Sequence, residues 1–192
     1  MACPSKIKEN LLRDCNKPLS QGVAERFYIG MYDDQVSAIG FDPTNPKILN
    51  ELTLKTGEKL KVYEGFDLSN RPSVGFTAGD FGNTFPHTFV FAIFDNSAKA
   101  KQEIDALGSR KDFFIIYKRR GAYGPWEVMG LLTGMKMTAF EYNPNDASAK
   151  GALVVTLTAA DEPGMPHEFV HKDQGGLVDT PAYLTSIALP VS

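Results

Sequence analysis

The sequence predicts a mainly β protein: an antiparallel β-barrel or sandwich with one flanking α-helix over about residues 97–108 and a short N-terminal helix. Three observations carry this. Phe occurs 13 times, and aromatic side chains suit pleated, half-buried surfaces. Twelve Pro and 17 Gly are spread along the chain and cut it into short elements. Several runs of strand character follow one another with turn residues between them, the pattern of hairpins.

Taken in order, Ile7, Leu11, Leu12 and Cys15 share a helical face, so residues about 5–15 form a short amphipathic helix that Asn16-Lys17-Pro18 ends. Arg26 to Met31 reads as a strand, and Gly40 to Pro46 as a loop broken by Asp42-Pro43 and Asn45-Pro46. Leu52–Lys55 and Leu60–Phe66 flank Thr56-Gly57-Glu58 and predict a hairpin. Val74–Thr77 is a further short strand. Thr84–Phe94 is the strongest strand, with Phe89, Phe91 and Ile93 on one face and Val90, Ala92 and Phe94 on the other. Ser97–Leu107 is the best helix: Asn96 or Ser97 caps it, Ala100, Ile104 and Leu107 share a face, and Gly108 suits a left-handed C-terminal cap. Phe113–Tyr117 is a second doubly apolar strand, and Lys118 to Pro125 a loop. Trp126–Leu132 and Met135–Tyr142 are strands, Asn143 to Asp146 a turn, and Leu153 to Thr158 a final strand. Roughly seven to nine strands result.

The 192 residues suffice for a single domain with a real core. We divide it into an N-terminal arm with the short helix (1–24), a β core (25–160) and a C-terminal arm (161–192) that is rich in Pro and Gly. The formal charge of -3 gives no clustered basic footprint for gripping nucleic acid. Cys3 and Cys15 lie close together near the start, so a bridge between them could not staple the body, and reduced thiols are expected. No apolar stretch follows Met1–Lys6 as in a signal peptide, and no window approaches the roughly 18 apolar residues of a membrane span, so no membrane insertion is expected.

Few residues invite a chemical reading. His167-Glu168-Phe169-Val170-His171 matches the zinc-peptidase pattern of two His one helical turn apart and a Glu to activate metal-bound water. Pro163, Gly164, Pro166 and Gly175-Gly176 leave room for only about two helical turns. No His follows His171, no Glu follows Glu168, and only His87 or a distant carboxylate could be a third ligand. The expectation is therefore a chance match in a solvated loop; as a strand, the run would place His167, Phe169 and His171 on one side. Asp80-Phe81-Gly82 lacks the other kinase signatures and reads as an acidic turn. Gly121 to Gly124 lacks the Lys-Ser/Thr ending of a phosphate loop. Lys118-Arg119-Arg120 reads as a solvated hairpin tip, or a contact to an acidic neighbour or phosphate. The stripes Phe89/Phe91/Ile93 and Met135/Met137 read as core, with a subunit interface as the alternative. No catalytic, cofactor-binding or metal-binding residues are expected, and no enzyme.

The order of hairpin strands, Phe89–Phe94, one helix at Ser97–Leu107, Phe113–Tyr117 and then Trp126-Glu-Val-Met-Gly-Leu-Leu-Thr-Gly-Met-Lys-Met137 resembles tail tube proteins of long-tailed bacteriophages, whose fold is shared with contractile injection systems. The resemblance covers roughly residues 25–160 and brings no catalytic motif with it. It implies a virion structural protein: a β-barrel with a flanking helix that forms stacked homohexameric rings, a conduit for double-stranded DNA, with loops or terminal arms clasping the next ring. It also implies tape measure and terminator proteins as partners, a place in the virion tail, and assembly in the bacterial host cytoplasm. The physical argument beside it is that two doubly apolar strands exceed what one helix covers, so another copy would cover the rest, with the 41–58 region and the terminal arms reaching neighbours. A two-sheet sandwich could cover that face equally. Other readings are a terminator, connector or baseplate component, or a monomeric β-sandwich that binds a ligand or glycan with Tyr123 and Trp126 exposed at a loop.

Overall fold

The computed structural model describes residues 11, 20–80, 82–147, 150–171 and 180–190. The helix expected at about 5–15 falls outside the described residues, Leu11 apart. In chain order the described elements are β1 (Val23–Met31), α1 (Tyr32–Gln35), β2 (Val36–Phe41), β3 (Ile48–Leu54), β4 (Lys61–Glu64), β5 (Arg71–Val74), β6 (His87–Ile93), α2 (Ala98–Ser109), β7 (Phe113–Arg119), β8 (Trp126–Met129), β9 (Lys136–Tyr142), β10 (Leu153–Ala159), β11 (His167–Phe169) and α3 (Thr180–Ile187). They build the mainly β, sandwich-like architecture expected. One sheet has seven strands in the order β2-β3-β11-β8-β7-β1-β4, the other four in the order β5-β6-β10-β9. Each pairing is antiparallel except that of β11 with β3.

The larger core lies between the sheets. Alternation along β6 aims Phe89 and Phe91 inward, both fully buried, and leaves Thr88, Val90 and Ala92 half-buried on the other face. Phe27 from β1 meets both rings, at centroid distances of 4.9 and 5.1 Å. Ile115, Tyr117, Met129, Met135, Val155 and Leu157 complete the cluster. Each such side chain contributes about 1.5–3 kcal/mol by leaving water. The Phe stripe and Met135 are thus core, as read.

The other face of the seven-stranded sheet carries a second core. Phe114 and Ile116 of β7 are fully buried there with Tyr28, Leu49, Leu52, Trp126, Val128 and Phe169. What covers them is Leu184 and Ala188, from α3 and the residue after it. This corrects two expectations. The second apolar face of β7 needs no other copy, because the chain covers it itself. The segment after Asp161 is no detached arm in its described part: β11 sits within the large sheet and α3 plugs its face. Pro163 and Gly164, which suggested an arm, lie in the bend between β10 and β11. Likewise β3, inside the 41–58 region expected to reach outward, buries Leu49 and Leu52 completely.

The hairpin expected around Gly57 does not form either. The turn exists: Gly57 has φ +85° and Glu58 N–H donates to Lys55 O at 3.0 Å. Its arms diverge because buried Gln35 sits between them. Lys55 N–H donates to Gln35 O at 2.8 Å, and the Gln35 amide donates to Lys59 O at 2.9 Å. β3 accordingly pairs with β2 and β11, and β4 with β1.

The mid-chain helix forms where predicted. Ser97 caps it, its hydroxyl accepting from Ala100 N–H at 3.2 Å, and Ala100, Ile104 and Leu107 face inward. Gly108, expected as a left-handed cap, lies inside the helix instead. A Cβ there would stand 2.9 Å from Met137 Cε, the movable end of a β9 side chain that packs beside it.

Candidate assembly surfaces and the buried polar network

His167 to His171 is extended chain, with His167–Phe169 hydrogen-bonded between β8 and β3. Four residues of strand span about 13 Å, too far for two imidazoles to share one ion. The expectation of a solvated loop is corrected as well. His167, Phe169 and His171 are all buried on one side of the strand, because β11 is an interior strand. The His167 ring packs on Phe41 at 4.9 Å, and His171 stacks on Tyr183 at 3.7 Å with the planes 10° apart. Among the described residues no group of three or more His, Cys, Asp or Glu is placed to hold a metal ion.

His87, read in the sequence only as a conceivable third metal ligand, and Glu162 are the polar centre of the fold. His87 opens β6 and is 1% exposed. Its Nε2–H donates to Gly164 O at 2.9 Å, and its Nδ1 accepts from Gly130 N–H at 3.2 Å. Those bonds define a neutral imidazole with the proton on Nε2. Glu162, also buried, accepts from Leu132 N–H, Thr133 N–H and Thr133 Oγ1–H at 3.1, 3.1 and 3.2 Å. Lys47 Nζ donates to Met165 O at 2.7 Å. Burial lowers the His87 pKa, Gly164 and Glu162 opposing and Lys47 assisting. Burial, then Lys47 and His87, pulls His167 down to about 4. This network knits the connections β8–β9, β10–β11 and β2–β3 at one end of the molecule. Its residues are scattered through the sequence, so no local signal marks it.

A second polar row crosses β7, β8 and β11, where register sets Tyr117 opposite Glu127 and Glu127 opposite Glu168. Tyr117 donates to Glu127 at 2.5 Å. Burial, and then Glu127, raises the Tyr117 hydroxyl far above its ordinary range and also lifts Glu168. Tyr117 therefore stays a donor, and the row ties strands together. Arg119 lies 3.7 Å from Glu127, and Arg120 pairs with Asp67 and donates to Val23 O at 3.1 Å. Two of the three residues in the basic run thus have partners within the chain. Gly121 to Gly124 is the tight β7–β8 turn, closed by Gly124 N–H to Gly121 O at 3.1 Å. Asp80 and Gly82 lie in the β5–β6 connection, and Phe81 falls outside the described residues. Tyr123 is exposed, but Trp126, expected beside it at a loop surface, is buried against Tyr28.

Exposed apolar side chains gather at opposite ends of the four-stranded sheet. Beyond the C-terminal end of β6, Phe66 and Phe94 meet edge to face at 4.4 Å, and Leu68 stands beside them. They line an open groove of about 530 Å³ rimmed by Arg71, Glu141 and Lys150. Edge strand β9 adds exposed Phe140 and Tyr142. Beyond the N-terminal end of β6, Phe76 is exposed on the β5–β6 connection, and Leu132 and Met165 on the β8–β9 and β10–β11 connections that the His87–Glu162 network holds. Exposed apolar side chains that cluster on a globular surface mark candidate contact sites.

No family model matches the chain, and neither the curated proteins nor the solved structures contain a match to it.

Proposed function

We propose that this chain is a self-assembling structural subunit of the phage tail tube kind, stacking through its two apolar ends. The observation that carries the reading is the placement of Phe66, Leu68 and Phe94 at one end of the small sheet and Phe76, Leu132 and Met165 at the other. Two different surfaces at opposite ends favour a head-to-tail contact, which propagates into stacks. The apolar face of β7 lends no support, because α3 fills it. Lateral contacts fall to the sheet edges. Of the four, β5 is protected by Pro72 and β2 by two register shifts, whereas β9 presents Phe140 and Tyr142. Six copies in a ring, a lumen that passes double-stranded DNA without reading it, tape measure and terminator partners, and a place in the virion tail all come with the tail tube resemblance. The weak charge of -3 suits such a lumen.

The test is sedimentation velocity and electron microscopy of the full chain beside Phe66→Ser. The native chain forms rings or tubes, and the variant stays small while losing no more than about 1–2 kcal/mol of stability with the Phe94 contact. A second reading, a monomeric binding module, rests on the aromatic groove with its charged rim. It requires a strictly monomeric chain whose melting temperature rises with a ligand.

A further inference from the structure

We propose that the turn Gly130–Gly134 is an acid-released latch, held shut by the His87 imidazole and opened when that ring takes up a proton on Nδ1. Gly130 has φ +69° and starts the turn that carries the chain from β8 in the large sheet to β9 in the small one. Its N–H donates to the Nδ1 lone pair of His87, 3.2 Å away. A proton from solvent on Nδ1 consumes that lone pair and sets N–H against N–H. The bond is replaced by a donor–donor contact in a buried place.

The ring cannot flip to recover the bond, since its other nitrogen already donates to Gly164 O at 2.9 Å. The titratable groups facing His87 come from two connections and from β11. Glu162 follows β10 and attracts the added charge, while Lys47 precedes β3 and repels it. His167 of β11 shares the site and is itself held neutral there. Glu162 holds the same turn through Leu132 and Thr133. The charged ring is thus best neutralised by drawing the Glu162 carboxylate away from the turn, so both clasps loosen together. The device stands on this geometry alone and does not depend on whether the chain assembles.

Hydrogen exchange read by mass tests it on the full chain from about pH 7 down to about pH 4, since burial holds the His87 ring below its ordinary range. After correction for intrinsic rates, the peptide spanning Gly130 to Thr133 loses protection about tenfold or more, while Ile115 and Ile116 of β7 stay protected. The slow C2–H exchange of the His87 ring, read in the same samples, reports its protonation. The loss at the turn follows that protonation, and His87→Gln abolishes the pH dependence. Should His87→Gln not fold, the ring and turn readings in the native chain decide. A turn that opens without His87 titrating, a titration that leaves the turn protected, simultaneous loss at β7, or a ring and turn both unchanged down to about pH 4 each overturns the latch.

Discussion

Leu60 and Ala188 form an isolated parallel bridge: Leu60 N–H donates to Ile187 O and Leu189 N–H donates to Leu60 O, both at 2.9 Å. This tie, with Tyr183 donating to Leu52 O, seats α3 against the large sheet. It turns the C-terminal segment into the cover for Phe114 and Ile116.

Removing that cover's main anchor is costly. Leu184 is fully buried, so Leu184→Ala lowers unfolding free energy by about 2–5 kcal/mol. Urea unfolding followed by tyrosine and tryptophan fluorescence checks this. A change below about 0.5 kcal/mol means α3 is not part of the core.

Glu162 closes the β8–β9 turn through three donors. Glu162→Ala strands them in a buried site and costs about 2–4 kcal/mol. Glu162→Gln keeps an acceptor oxygen and costs less, about 1–2 kcal/mol. Equal losses for the two variants in chemical denaturation would show that the oxygen does not hold the turn.

Acid weakens the fold through His167. Its folded value of about 4 lies below the ordinary 6.5. Between these values the unfolded chain binds a proton that the folded chain refuses. The contribution is therefore complete above the ordinary value and lost as pH falls through the window, by at most about 3 kcal/mol. In urea titrations across this range His167→Phe, which keeps a ring against Phe41, flattens the decline. An unchanged slope would assign the acid sensitivity elsewhere.

Leu68 has φ +59°, a left-handed conformation that L side chains adopt at a cost. Leu68→Gly relieves it, leaving stability unchanged or raised by up to about 1 kcal/mol. It also removes an apolar contact from the groove and weakens assembly. Stability and assembly that fall together would show that the side chain serves folding instead.

The elements that carry a strong local pattern were legible in the sequence. Alternation at Phe89/Phe91 and at Leu153/Val155/Leu157 announces β6 and β10, and the Ser97 cap announces α2. The failures are non-local. No turn signal says that β11 inserts between β3 and β8, or that Gln35 parts the arms around Gly57. The double apolarity of β7 correctly demanded a second cover, but its source, α3, lies in a segment whose Pro and Gly read as an arm. His167 drew attention through a motif spacing that is meaningful only on a helix. His87 and Glu162 carry no spacing signal, because their partners are backbone groups of distant turns. The Phe66–Phe94 groove likewise arises only when the β4–β5 loop folds over the end of β6.

Electron microscopy combined with sedimentation velocity of the concentrated full-length chain tests the central claim most directly. Self-assembly through the two apolar ends predicts rings or stacked tubes that grow with concentration. A single species at the monomer mass of 21.1 kDa under every concentration and salt condition would contradict it.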